Sequence, residues 1–122
     1  MKKFRIYHNF SFEASHTIPY HHKCGRLHGH SYKVTIILEG DKLENGMLID
    51  FGEIRKISKE IEDKLDHTHL NNLLLIPTAE MLAKLIFEYF ENRLKELNIN
   101  NVRVKEVIVQ ETERNKASYV DD

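Results

Sequence analysis

Two extended segments, one ending and the other beginning in histidine, constrain this chain more than any other feature. Residues 3–16 and 28–40 both read as strands. The first closes on the alternating run Phe10-Ser11-Phe12-Glu13-Ala14-Ser15-His16, and the second carries the β-branched and aromatic stretch Tyr32-Lys33-Val34-Thr35-Ile36-Ile37-Leu38. Side chains alternate faces along a strand, so His28 and His30 leave the same face with Cα atoms roughly 6.8 Å apart, and Gly29 removes bulk from the other face. If the two strands pair, His16 stands opposite the His-Gly-His pair and three imidazoles reach one small volume. Three histidines with one position left open are the pattern of a catalytic zinc site, whereas a structural site is normally closed by a fourth protein ligand, often a thiolate.

The competing reading is a polar, solvated loop, because five of the eight histidines fall between positions 16 and 30. The lone Cys24 is open to three readings: a fourth ligand, an inert buried thiol, or a reactive group beside the metal. The loop 17–27 that carries it, with Pro19 and the pair His21-His22, is where chemistry is expected to sit.

At 122 residues, with 41% apolar and 30% charged residues, the chain has the size and composition of one ordinary globular domain spanning 1–122. Eighteen basic against 19 acidic residues leave no general basic field, which argues against nucleic acid as a partner. One cysteine cannot form an internal disulfide, and the start Met1-Lys2-Lys3-Phe4 lacks the apolar run of a signal peptide or membrane span. The expected compartment is the cytoplasm, with no membrane partner.

After the turn-rich segment 39–46, Asp50 and Glu53 form a cap for a helix whose core positions are Ile54, Ile57, Ile61 and Leu65. Following the Ile76-Pro77 break, Thr78 is the expected N-cap of a second helix with a broad apolar stripe of Met81, Leu82, Leu85, Ile86, Tyr89, Phe90 and Leu94, ending at Asn98–Asn101. Residues 102–109 alternate as a third strand running on to Glu111, and 117–120 add a short fourth. The order β-β-α-α-β-β predicts an α+β fold, a four-stranded antiparallel sheet with two helices on one face, and oligomerisation to manage its edges and open face.

Two further groups carry chemical potential. Asp66 beside His67 reads either as a carboxylate that orients an imidazole for proton transfer or as a helix end that uses histidine to satisfy carbonyls. Glu111, at a strand end, reads on its own as a solvated surface residue.

Taken in order, Phe12-Glu13-Ala14-Ser15-His16, Cys24-Gly25-Arg26-Leu27-His28-Gly29-His30-Ser31, Ile49-Asp50-Phe51, Leu65-Asp66-His67, Pro77-Thr78-Ala79-Glu80 and Gln110-Glu111-Thr112 resemble the superfamily of 6-pyruvoyltetrahydropterin and 6-carboxytetrahydropterin synthases over nearly the whole chain. The resemblance implies a tunnelling fold (T-fold) whose subunits join their sheets into a barrel, a homohexamer built as a dimer of trimers, and active sites between subunits. It implies His16, His28 and His30 as Zn2+ ligands, Cys24 as the catalytic thiol, Asp66 and His67 as the proton relay, and Glu111 as the anchor of a pterin ring. Thr78 and Glu80 are implied as further ring contacts, although helix capping explains Thr78 equally well. His69 and the His21-His22 pair depart from this pattern by adding imidazoles that compete for metal.

Three residues separate Cys24 from His28, a short arm that resembles the 6-carboxytetrahydropterin branch. That branch implies a zinc-dependent lyase acting on 7,8-dihydroneopterin triphosphate, releasing acetaldehyde and triphosphate, on the way to queuosine. Lys23 and Arg26 flank the thiol and are candidates for the triphosphate. The alternatives are a 6-pyruvoyltetrahydropterin synthase, a zinc-dependent hydrolase in which Cys24 is dispensable, and a non-catalytic metal- or pterin-binding protein.

Overall fold

The computed structural model describes residues 2–122. The two histidine-bounded segments form long strands, β1 (Phe4–His16) and β2 (His28–Gly40), paired antiparallel along their full length from Phe4 opposite Gly40 to His16 opposite His28. In this register, the even-numbered residues from Phe10 to His16 and from Tyr32 to Leu38 are buried, and the odd-numbered Ser11, Glu13, Ser31 and Lys33 are exposed. One face of the sheet is therefore largely apolar, and it turns polar at its His16 end.

Helix α1 (Phe51–Leu65) starts at Asp50, whose carboxylate accepts from the Gly52 N–H at 2.7 Å, and it buries Ile54, Ile57, Ile61 and Leu65. Helix α2 (Ala79–Glu96) starts at Thr78, whose hydroxyl accepts from the Met81 N–H at 3.2 Å. Its buried face is Leu82, Ala83, Ile86, Phe87, Phe90 and Leu94. Met81, expected in that stripe, is exposed, whereas Phe87, outside the expected stripe, is buried with its ring edge-to-face against Tyr119. Asn98 ends α2 in a left-handed conformation (φ 57°), with the Asn98 and Ile99 N–H groups donating back to Lys95 and Leu94.

Strands β4 (Arg103–Gln110) and β5 (Lys116–Val120) complete the antiparallel set. The sheet has five strands rather than four. Thr68–His69 forms a two-residue strand, β3, parallel to β1, giving the order β3-β1-β2-β4-β5. A left-handed His67 (φ 56°), whose N–H donates to the Glu13 carbonyl, turns the chain out of α1 and lays β3 on that edge. Burial along β4 changes parity: Val102 and Val104 are buried, then Val107 and Val109. A bulge at Lys105, between the pairs Val104–Leu38 and Glu106–Ile37, inserts one residue and flips the alternation.

At the end of the sheet away from the histidines, the Glu39 side chain is only 3% exposed and takes Arg5, Arg103 and Lys3 as partners at 2.8, 2.6 and 3.4 Å. The hydrogen bond from Arg5, then those from Arg103 and Lys3, hold its pKa at about 2, below the ordinary 4.5. A depressed carboxylate stabilises the fold above its unfolded pKa, and this contribution is lost as pH falls through the folded value. Stability should therefore drop between about pH 4.5 and 2, and Glu39→Gln should flatten that decline by close to one proton. Denaturant midpoints over a pH series measure this; an unchanged slope in the variant would contradict it.

Candidate metal and substrate site

His16 ends β1, and His28 and His30 open β2, so the strand register brings the three rings together, with one ligand nitrogen from each lying within 4.8 Å of the others. His16 is 1% exposed. Its Nδ1 lies 2.8 Å from the Pro77 carbonyl and 3.2 Å from the Tyr32 hydroxyl, and the Nδ1 of His28 lies 2.7 Å from the Arg26 carbonyl. A carbonyl only accepts, so both Nδ1 atoms carry the proton, and in the neutral rings both Nε2 atoms present lone pairs. Those two Nε2 atoms are 2.9 Å apart. Two lone pairs at that distance repel unless a cation sits between them. The third ring reinforces the point, because the Nε2 of His30 is buried without a hydrogen-bond partner. Burial pushes the His30 pKa down, opposed by Glu111, and so favours the neutral form that can ligate. The three histidines fit a divalent cation, and carbonyl partners behind two of them set the ligating tautomer.

The triad lies beside a groove of ≈ 310 Å³ lined by Ile18, His21, Cys24, Thr78, Glu80 and Glu111, with Asn115, Lys116 and two alanines completing the wall. This is within the size of small-molecule sites, about 300–1,000 Å³. The carboxylate of Glu111 stands 3.6 Å from the His30 Nε2 and 3.8 Å from the His16 Nε2. Glu111 is thus no mere surface residue, since it connects groove and triad. Thr78 lines the groove while its hydroxyl caps α2.

Asp66 and His67 form a pair at 2.9 Å. The Asp66 pKa is lowered, first by the Glu13 N–H donating to it at 2.9 Å and then by His67. His67 lines a different, open groove on the uncovered side of the sheet, together with Glu13, Ser15, Gly29, His30 and His69. One chain therefore does not gather His67 and Cys24 into the same groove. Lys23 and Arg26 are exposed and line neither groove. Of the additional imidazoles, His69 meets the Ser15 hydroxyl at 3.0 Å and His21 accepts from the Cys24 N–H at 2.9 Å, so neither joins the triad.

Several contributors escaped the sequence reading. Tyr32 and Pro77 orient His16, His21 braces the thiol loop, and Asn71 clamps the start of that loop through both polar atoms of Thr17's backbone, each at 2.9 Å. The proline break before α2 was the one available signal, because it places a free carbonyl beside the helix start.

Fold and site together define an α+β domain with a three-imidazole cation site at the rim of a thiol-lined groove. Residues 5–122 match the family model described as 6-pyruvoyl tetrahydropterin synthase. The chain is 46% identical, over 79% of its length and 82% of the relative's, to an Archaeoglobus fulgidus protein provisionally named as a 6-carboxy-5,6,7,8-tetrahydropterin synthase. It is 40% identical, over 70% of its length and 74% of the relative's, to a Synechocystis protein named 6-carboxy-5,6,7,8-tetrahydropterin synthase. A Pyrococcus furiosus protein named dihydroneopterin monophosphate aldolase is 32% identical over 75% of this chain and 79% of that protein. The structure of Caenorhabditis elegans 6-pyruvoyl tetrahydropterin synthase superposes with a TM-score of 0.84 over 100% of this chain and 98% of that one, at 22% identity, and so shares the fold. The chain belongs to the 6-pyruvoyl tetrahydropterin synthase family and is a lyase-type pterin enzyme with the T-fold subunit architecture. Among the described residues, no helix is long and apolar enough to cross a membrane.

A cation that binds only the folded state raises its stability, by about 2.7 kcal/mol at a free concentration of a hundred times Kd. Zn2+ at such excess should raise the thermal midpoint of the native chain, and His28→Ala or His30→Ala should remove most of the increase. Equal shifts in all three proteins would exclude the triad as the binding site.

Proposed function

We propose that this chain is a zinc-dependent 6-carboxy-5,6,7,8-tetrahydropterin synthase, converting 7,8-dihydroneopterin triphosphate and water to 6-carboxy-5,6,7,8-tetrahydropterin, acetaldehyde and triphosphate for queuosine (7-deazaguanine) synthesis. The observation that carries this reading is the single groove in which Cys24, Thr78, Glu80 and Glu111 meet beside the His16-His28-His30 triad. The names of the Archaeoglobus and Synechocystis relatives and the short Cys24-to-His28 arm support it.

His16, His28 and His30 hold the metal in this reading. Zinc, when bound, supplies a Lewis acid for the oxygens of the substrate side chain and offsets enolate-like charge. Glu111 accepts from the amino group and ring N–H that a pterin presents side by side, which sets the ring's register. The Cys24 thiolate removes the proton from the side-chain carbon. Asp66 orients His67, which exchanges protons with the substrate. Thr78 and Glu80 add ring contacts, and Lys23 and Arg26 on the exposed loop face the triphosphate.

His67 and Cys24 line separate grooves on one chain, so completing the site calls for a second subunit. This supports a homohexamer, a dimer of trimers whose sheets close into a barrel and whose active sites lie between chains. Joining sheets also covers the β5 edge and the part of β1 that the two-residue β3 leaves unpaired. The neutral overall charge and small-molecule groove favour a cytoplasmic enzyme without a nucleic-acid partner.

Incubation of the zinc-loaded protein with 7,8-dihydroneopterin triphosphate should yield 6-carboxytetrahydropterin and acetaldehyde by mass spectrometry. Cys24→Ala and Asp66→Asn should each reduce turnover roughly 10²-fold or more, the scale of positioned acid–base catalysis. A product that keeps its three-carbon side chain would instead assign a pyruvoyl synthase, and full turnover by Cys24→Ala a hydrolase. The Pyrococcus furiosus relative motivates a second reading, and cleavage of dihydroneopterin monophosphate without turnover of the triphosphate would establish it.

A further inference from the structure

Glu111 both lines the groove holding Cys24 and stands against the imidazole triad. Its backbone is held at the β4–β5 turn, where its N–H donates to the Asn115 carbonyl at 3.3 Å. Its carboxylate, 27% exposed, has no hydrogen-bond donor among the described residues and stands beside the Nε2 atoms of His16 and His30. Four ligands around a cation with bonds of 2.0–2.1 Å lie about 3.3–3.4 Å apart in a tetrahedron. One Glu111 oxygen stands 3.6 Å from the His30 Nε2 and the other 3.8 Å from the His16 Nε2, so the carboxylate faces two of the three ligand nitrogens at little more than a ligand–ligand separation. Three neutral imidazoles leave both charges of a divalent cation uncompensated, and an adjacent carboxylate is the natural counter-charge.

We propose that Glu111 is a displaceable fourth ligand, closing the cation's coordination while the groove is empty and leaving it to pair with the amino and N–H edge of an arriving pterin. The second half rests on the pterin-enzyme reading above; the first does not. Exchange of this kind couples opening of the metal to occupation of the groove, so the cation becomes available only when a ring of the right donor pattern is seated. The glutamate side chain is long and flexible enough for both positions, whereas the triad is fixed by strand register.

Cobalt(II), whose visible spectrum reports its coordination, is the probe, and unsubstituted pterin, which carries no side-chain oxygens, is the groove ligand. Glu111→Gln should bind Co2+ roughly 10- to 100-fold more weakly in chelator competition and show a changed visible spectrum. Glu111→Asp, which withdraws the charge by one methylene, should fall between. Pterin should move the native Co2+ spectrum toward that of Glu111→Gln and leave the variant's spectrum unchanged. Equal Co2+ affinity and superimposable spectra in native protein and Glu111→Gln would overturn the ligand role. If the native protein binds no pterin by fluorescence, the exchange falls together with the reading beneath it, and the Co2+ affinities alone decide whether Glu111 is a ligand.

Discussion

The structure turns on a contact that is unfavourable by itself. Two imidazole nitrogens, each with its partner nitrogen committed to a carbonyl, are held 2.9 Å apart with lone pairs facing. A third buried nitrogen beside them has no partner. Nothing in an apolar core asks for this arrangement, and a cation relieves all three demands at once. The surrounding fold reads as the apparatus that keeps the nitrogens from relaxing apart. Thirteen-residue strands fix the register, stacking of Phe12 on Tyr32 at 4.8 Å fills the layer next to the rings, and Pro77 delivers its carbonyl to His16 from the approach to α2.

The same logic connects the two ends of the sheet. Both long strands carry an apolar face covered by the helices, and both end in polar clusters. At one end Glu39 is paired with three cations. At the other, three imidazole nitrogens and the Glu111 carboxylate converge on a volume that a divalent ion fits. The two clusters lie some ten residues apart along β1 and β2. Ser15 lines the His67 groove, whereas the adjacent His16 is buried on the opposite face of the sheet.

Much of this was legible in the sequence, for identifiable reasons. The triad followed from a two-residue histidine spacing and one strand pairing, and both helices from apolar periodicity with capping residues. What escaped depends on interactions without a local signature. β3 is two residues long, too short for any period, and forms because His67 adopts a left-handed turn. The β4 bulge hides in a run that looks evenly alternating. The proximity of Glu111 to the triad needs the register of β4 on β2, which no residue in β4 announces. Lys23 and Arg26 flank Cys24 in sequence, yet both side chains are exposed on a loop closed by backbone bonds from Ile18 to Cys24 and from Gly25 to His21.

X-ray absorption at the zinc edge of the zinc-loaded protein tests the central claim most directly. Three imidazole nitrogens at about 2.0–2.1 Å, with the multiple-scattering pattern of histidine rings, are predicted. A first shell dominated by sulfur, or one of oxygen atoms alone, would contradict the account.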